Sequence, residues 1–210
     1  MLRDIRNNYA LNKLDEGQLA GGPIIFFELW LNEAIQLKVN EPTAMVLATA
    51  VDNQPDTRVV LLKEIKDDDF VFYTNYISAK AREIERNKHV ALNFFWAELE
   101  RQVRVKGTIS KTSDHLADDY FNSRPRESQL GAWASAQSQA IKDREELENK
   151  FEAVRKLYEG KDIPRPENWG GYKVEATEIE FWQGRPSRLH DRFRFYRGEK
   201  GEWYFKRLSP

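Results

Sequence analysis

The segment Phe181-Trp182-Gln183-Gly184-Arg185-Pro186-Ser187-Arg188-Leu189-His190-Asp191-Arg192-Phe193 concentrates residues able to do chemistry. Gly184 and Pro186 mark a turn between two strands. Side chains alternate across a strand, so Arg188, His190 and Arg192 share one face, with Trp182 close by. Leu189, Asp191 and Phe193 share the other. Two guanidiniums and an imidazole make a poor core but a good wall for a planar anionic ligand. Arginine offers a fork of donors to phosphate, carboxylate or phenolate oxygens. Histidine donates, accepts or carries a proton near neutral pH. The same alternation also describes a solvated edge hairpin with a basic outer face, which is an ordinary arrangement.

A second group is Tyr120, Arg124 and Ser128, spaced four apart as on one helix face. Pro125 pushes Arg124 away from the α region, which leaves convergence at a helix end. A phenol, a guanidinium and a hydroxyl suit a phosphate, and they also suit plain surface polarity. Lys80 lies in the first turn of a short helix, where a cation opposes the helix dipole and hints at an anion nearby. Gln102, on the polar face of a strand, can meet a heterocycle edge or face solvent. Arg6 and Tyr9 can fold over a site or belong to a frayed terminus.

The elements that must position these residues follow from periodicity. Residues 1–22 read as a mobile polar arm ending in Gly21-Gly22, and residues 23–210 as one domain. Pro23 opens an amphipathic helix with Ile24, Phe27, Leu31, Ala34 and Ile35 at helical spacing. Thr43–Val51 reads as a buried strand, Asp52–Asp56 as a turn and Thr57–Ile65 as its hairpin partner. Asp67-Asp68-Asp69 turns into a strand over Phe70–Thr74. Ser78 caps a helix through Asn87, and Ser113 opens another through Asn122. Val90–Trp96 and Arg101–Ile109 form a second hairpin. Asp143–Tyr158 is a charged helix with Leu147, Phe151, Val154 and Leu157 as its buried stripe. Tyr172–Trp182 is a long strand, and Trp203–Leu208 the last. About eight strands paired in hairpins, with three to five helices, predict a mainly β fold. It is an antiparallel sheet closed as a small barrel, with peripheral helices packed outside.

Composition removes several function classes. The 210 residues carry a net charge of −1, which argues against a protein that coats nucleic acid. With no cysteine there is no disulfide, thiol nucleophile or Cys-ligated metal. His89, His115 and His190 show no metal-ligand spacing, so no metal is expected. No apolar run approaches the roughly 18–20 residues that span a bilayer, and Met1–Arg6 lacks the apolar centre of a signal peptide. The expectation is a soluble cytoplasmic chain. There is no GxGxxG opening a helix, no P-loop and no GxSxG elbow. What remains is a barrel with dispersed Arg, Lys, Tyr, Ser and Gln, suited to flat phosphorylated ligands.

Glu41-Pro42-Thr43-Ala44-Met45, Arg58-Val59-Val60-Leu61-Leu62-Lys63, Phe72-Tyr73-Thr74-Asn75, Glu100-Arg101-Gln102-Val103-Arg104-Val105, Tyr120-Phe121-Asn122-Ser123-Arg124-Pro125-Arg126, Trp169-Gly170-Gly171-Tyr172 and Phe181-Trp182-Gln183-Gly184 with Arg188-Leu189-His190-Asp191-Arg192 run in order along nearly the whole chain. In this the chain resembles the pyridoxine/pyridoxamine 5′-phosphate oxidase family. The resemblance implies an FMN-binding split β-barrel and a homodimer with FMN at the subunit interface. It implies oxidation of pyridoxine 5′-phosphate and pyridoxamine 5′-phosphate by O2 to pyridoxal 5′-phosphate, with hydrogen peroxide, and ammonia from the amine. It sets Arg58, Val59, Val60, Leu61, Leu62 and Lys63 along FMN, with Arg58 at its phosphate. Tyr73, Thr74, Lys80, Gln102, Gln137, Ser138, Trp182 and Arg192 complete the cofactor site. Lys63, Tyr120, Arg124 and Ser128 would take the substrate phosphate. Arg188 and His190 would hold the pyridine ring at the reacting carbon, under an arm carrying Arg6 and Tyr9. Asn7 and Asn8 stand where the family's arm usually has a basic and an acidic residue, and Ala79 where it often has Arg. Two rival readings are another FMN split-barrel oxidoreductase, and a flavin- or pyridoxal-phosphate-binding protein without turnover.

Overall fold

The computed structural model describes residues 1–210. Helix α1 (Pro23–Gln36) starts at Pro23, whose missing N–H costs nothing at a first position. It buries Ile24, Phe26, Phe27, Trp30 and Ala34. Phe27 meets Phe94 and Phe70 edge-on at 4.8 and 5.0 Å, and Phe26 meets Phe181 at 4.8 Å. Such edge-to-face pairs add to plain area burial. They plug α1 into a core of 30 buried residues.

Strands β1 (Ala44–Val51) and β2 (Gln54–Leu61) form a hairpin with Val51 opposite Gln54. The turn is only Asp52-Asn53, both at positive φ (51° and 60°), which matches the twist of a tight hairpin. Pro55 and Asp56 therefore belong to the strand and not to the five-residue turn expected from composition. The expected single strand through Ile65 is also broken. Leu62 N–H donates to Thr43 on one side of the sheet, and Lys63 N–H to Val71 on the other, both at 2.9 Å. Strand β3 (Glu64–Lys66) then pairs with β4 (Asp69–Asn75).

Helix α2 (Ala79–Arg86) is capped by Ser78, whose Oγ accepts from Ala81 N–H. Next come β5 (His89–Trp96), β6 (Arg101–Lys111) and α3 (Asp114–Ser123), the last capped by Ser113. Helices α4 (Arg126–Ala134) and α5 (Arg144–Leu157) precede β7 (Trp169–Gln183), β8 (Asp191–Arg197) and β9 (Trp203–Arg207). Helix α5 buries no residue fully, and Leu157, expected in its apolar stripe, is 58% exposed. The stripe is shorter because α5 rests on α4 and not on the main sheet.

All pairings are antiparallel, in the order β2-β1-β5-β6-β7-β4-β3. The two end strands, β2 and β3, are consecutive in the chain, so the sheet curls until its ends meet at Leu62-Lys63. This is a split barrel. Strand β7 is the shared wall. One edge pairs with β6; the other pairs with β4 over residues 169–175 and with β8 over residues 178–183. Its two halves thus belong to two lobes.

The N-terminal stretch corrects the expected boundary. Leu14 and Leu19 are both 2% exposed within the main core, and Leu14 N–H donates to Asp191 Oδ2 at 3.1 Å. The packed body begins at Leu14 and not at Pro23. No helix is long and apolar enough to cross a membrane.

Candidate active site

A cavity of about 650 Å³ lies between β2, the end of β4, the start of α2, the α3–α4 joint and the start of β7. Pro125 makes the joint. It holds Arg124 extended (φ −73°, ψ 148°) and so ends α3. Tyr120, Arg124 and Ser128 consequently do not share one helix face. They converge on the cavity from both sides of the break, together with Lys63.

A buried cation, Lys80, and a half-buried one, Arg124, line this cavity, and neither has a carboxylate partner. Lys80 is 8% exposed. Its Nζ donates to Thr74 Oγ1 at 3.2 Å and Gln137 Oε1 at 3.1 Å, both neutral. Burial, then the nearby Arg58 charge, hold its pKa below the ordinary lysine value, against an opposing pull from Glu83. The Arg124 guanidinium lies 4.6 Å over the Trp169 ring, and its buried Nη1 has no hydrogen-bond partner. Burial lowers its pKa, with Tyr120 opposing. A buried charge without a counter-charge is costly unless something anionic completes it.

The wall beside these two cations is aromatic. Tyr73 stacks on Tyr120 at 3.9 Å, and Trp169 lies parallel to both. Tyr73 OH donates to Glu64 Oε1 at 2.8 Å. Burial, then that carboxylate, raise the phenol's pKa, so it stays protonated. Gly171 sits opposite Tyr73 in the β4–β7 register, and a Cβ there would come 2.8 Å from the Tyr73 ring. The missing side chain lets the ring lie flat. Val59, Val60 and Leu61 of β2 form the opposite wall.

The other expected cofactor contacts stand elsewhere. Leu62 points into the core at 3% exposure. Arg58 does not line the cavity. It is tied to Thr49 Oγ1 (2.6 Å), Glu83 Oε2 (2.7 Å) and Asp56 Oδ2 (2.7 Å). Ser138 is an exposed residue at φ 68° just past Gln137. Gln102, Trp182 and Arg192 form a row across β6, β7 and β8 in the far lobe. Arg192 is held there by the buried Glu180, with Nη2 to Oε1 at 2.7 Å.

A second cleft of about 520 Å³ gathers Arg6, Tyr9, Arg188 and His190. Trp182 lies beside it, 4.6 Å from the His190 ring and 5.6 Å from Tyr9. Gly184 makes room for the arm, since a Cβ there would meet Tyr9 at 2.8 Å. Arg188 is not on the strand where alternation puts it. Residues 186–188 form a 3-10 turn with Ser187 and Arg188 at φ 57° and 62°, and β8 starts only at Asp191. Pro186 and the need to turn between β7 and β8 override alternation. His190 Nδ1 accepts from Arg185 N–H at 3.0 Å. Burial, then Arg188 and Arg192, lower its pKa against Asp191, so the ring is neutral near pH 7.

The two clefts share no residue. Trp169 and Trp182 are thirteen residues apart on β7, on the order of 40 Å at about 3.3 Å per residue. Sequence reasoning passed over Trp169 as a site residue, along with Asn75, Ser135 and helix α4. An aromatic residue before Gly170-Gly171 at a strand start was the available signal.

A family model described as pyridoxamine 5′-phosphate oxidase matches residues 31–158. Another, described as the pyridoxine 5′-phosphate oxidase C-terminal dimerisation region, matches residues 169–210. The chain belongs to the pyridoxamine 5′-phosphate oxidase family. Its relatives include the pyridoxine/pyridoxamine 5′-phosphate oxidases of Gloeothece citriformis and Mannheimia succiniciproducens. They are 48% and 52% identical over 100% of this chain and 98% and 99% of theirs. The solved structure of PhzG from Burkholderia lata, in complex with tetrahydrophenazine-1-carboxylic acid, superposes with a TM-score of 0.88. It is 28% identical and covers 96% of this chain and 100% of that one. Within this oxidase family member, the cavity with Lys80 and Arg124 lies almost wholly in the first matched segment. Trp182, Arg188, His190 and Arg192 lie in the dimerisation segment.

Proposed function

We propose that this chain oxidises pyridoxine 5′-phosphate and pyridoxamine 5′-phosphate to pyridoxal 5′-phosphate with FMN and O2, in vitamin B6 synthesis or salvage, at sites assembled from two copies. One observation carries the reading. A single cavity holds two cations without carboxylate partners, the buried Lys80 and the half-buried Arg124, beside flat aromatic faces, which suits two phosphorylated flat ligands. Full-length identity of about half to oxidases of this name supports the substrate class.

Bound FMN would supply the two-electron chemistry, a hydride acceptor for the substrate's C4′ and a route for the electrons to O2, with hydrogen peroxide as the product. Lys80, Thr74 and Gln137 hold the cofactor phosphate, and the free edge of β2 at Val59–Leu61 lies along its body. Lys63, Tyr120, Arg124 and Ser128 hold the substrate phosphate. Arg188 and His190 hold the pyridine ring, and Gln102, Trp182 and Arg192 face the flavin. Those five residues would come from a second copy, because they belong to the lobe at the other end of β7 and none of them lines the Lys80 cavity. Positioning two rings at reactive distance is the main contribution of the fold. His190, neutral near pH 7, serves as a polar contact, since hydride transfer needs little base chemistry. Arg6 and Tyr9 cover the substrate.

The test is purified protein with FMN and pyridoxine 5′-phosphate in air, following pyridoxal 5′-phosphate and hydrogen peroxide together. Equal appearance of both is expected. Flavin binding without turnover would favour a storage protein, and no flavin binding would remove the cofactor assignment.

A further inference from the structure

Trp169 stands in the aromatic wall of the cavity. It opens β7 at 6% exposure. Its ring is parallel to Tyr73 and Tyr120, with interplanar angles of 8° and 6°. Its carbonyl accepts from Arg165 Nη1 at 2.8 Å, which fixes the backbone beneath it. Over its outer face lies the Arg124 guanidinium at 4.6 Å.

Other buried and half-buried arginines of this protein have carboxylate partners, including Arg101, which also stands over the Trp30 ring at 4.4 Å. Arg58 is tied to Asp56 and Glu83, Arg165 to Asp114 and Asp118, Arg192 to Glu180, and Arg101 to Glu33. Each carboxylate fixes its arginine by neutralising it and occupying its donors. A phosphate arriving at such an arginine competes with the carboxylate for its charge and donors. Arg124 instead stands on a π face, and its buried Nη1 is unpartnered. An indole attracts a guanidinium through its ring quadrupole and takes none of its N–H donors.

We propose that Trp169 is a positioning residue for the substrate phosphate: it holds the Arg124 guanidinium in place while leaving its charge and donors free. The proposal rests on reading Lys63, Tyr120, Arg124 and Ser128 as the substrate-phosphate pocket. The parallel stack of Tyr73, Tyr120 and Trp169, pinned by Glu64 on Tyr73, sets the plane on which the guanidinium rests.

The experiment compares the FMN-loaded parent with Trp169→Leu, Trp169→Phe and Arg124→Leu. It reads KM and kcat for pyridoxine 5′-phosphate, the competitive inhibition constant of inorganic phosphate, and FMN affinity. Trp169→Leu is expected to raise KM and the phosphate inhibition constant together by about tenfold, with kcat and FMN affinity within about twofold. Trp169→Phe keeps a weaker π face and gives a smaller rise in both constants. An unchanged KM in Trp169→Leu overturns the proposal, as does a loss of kcat and FMN affinity without a change in KM. If Trp169→Leu does not fold, Trp169→Phe decides: a KM equal to the parent's overturns the proposal and a raised one supports it. Arg124→Leu separates the two layers. An unchanged KM there removes the phosphate-pocket reading itself. A raised KM there, with Trp169→Leu at the parent's value, removes only the role of Trp169.

Discussion

Lys80 and His190 show how single residues are tuned by what surrounds them. Lys80 is buried beside Thr74 and Gln137 with no carboxylate in reach, so its charge is costly in the empty protein and useful to a phosphate. Lys80→Met should weaken FMN binding about tenfold to a hundredfold, the worth of a charge-assisted hydrogen bond. The same change should stabilise the apoprotein by about 1 kcal/mol, because an uncompensated buried charge is gone. Flavin fluorescence titration and urea unfolding check the two halves, and unchanged FMN affinity would count against Lys80 as the phosphate ligand. His190 has a pKa below its ordinary 6.5. Above that value it is neutral folded and unfolded. As pH falls below it, the unfolded state takes up the proton first, so stability is lost down to the folded pKa. Protonation also removes Nδ1 as the acceptor for Arg185 N–H. An imidazole NMR titration should place the midpoint below 6.5; a midpoint at or above it would contradict the packing described.

At the scale of elements, β7 does the most. Its first half carries Trp169 and Gly171 against β4, and its second half carries Trp182 against β6 and β8. Gly171 is where strand geometry and site geometry meet. An added Cβ would come 2.5 Å from Thr112 Oγ1 and 2.8 Å from the Tyr73 ring. Gly171→Ala should therefore cost about 1–3 kcal/mol of stability through overpacking. It should also weaken FMN binding, because Tyr73 must tilt off Tyr120. Urea unfolding and flavin titration would show both, and a variant with parental values would mean that the β4–β7 approach is looser than described. The α3–α4 joint makes a parallel point. Tyr120, Arg124 and Ser128 are legible as a trio from spacing and from Pro125. Helix α4 itself is not, because Gly131 and its polar residues dilute the apolar period.

For the whole molecule the separation of the two clefts has a direct consequence. If each site takes Lys80 from one copy and Arg188 from another, the two variants should complement each other when assayed at an FMN concentration too low to fill the Lys80→Met site. Lys80→Met and Arg188→Leu, refolded together, form mixed dimers in which one of the two sites is intact. With random pairing, activity should return to about one quarter of the parent's, by the symmetry of a two-fold dimer. No recovery, with mixed dimers demonstrated, would mean that each site is built within one chain. The break at Leu62-Lys63, where the barrel splits, is what leaves β2 with a free edge beside the cavity.

Local chemistry was legible in the sequence wherever it depends on a few adjacent residues. Ser78 and Ser113 as caps, Pro23 as a helix start, the hairpin pairing of strands and the resemblance motifs all act over a turn or two of chain. The tertiary structure decided what depends on distant partners. It gave Arg58 to Glu83 and Asp56, and left Lys80 and Arg124 as the unpaired cations. It put Arg188 in a turn, packed Leu14 and Leu19 into the core, and set Trp169 under Arg124. Whether a charged side chain is free for a ligand depends on which carboxylate or ring the fold brings beside it. Residues far apart in the chain supply those neighbours, so spacing along the sequence cannot encode them.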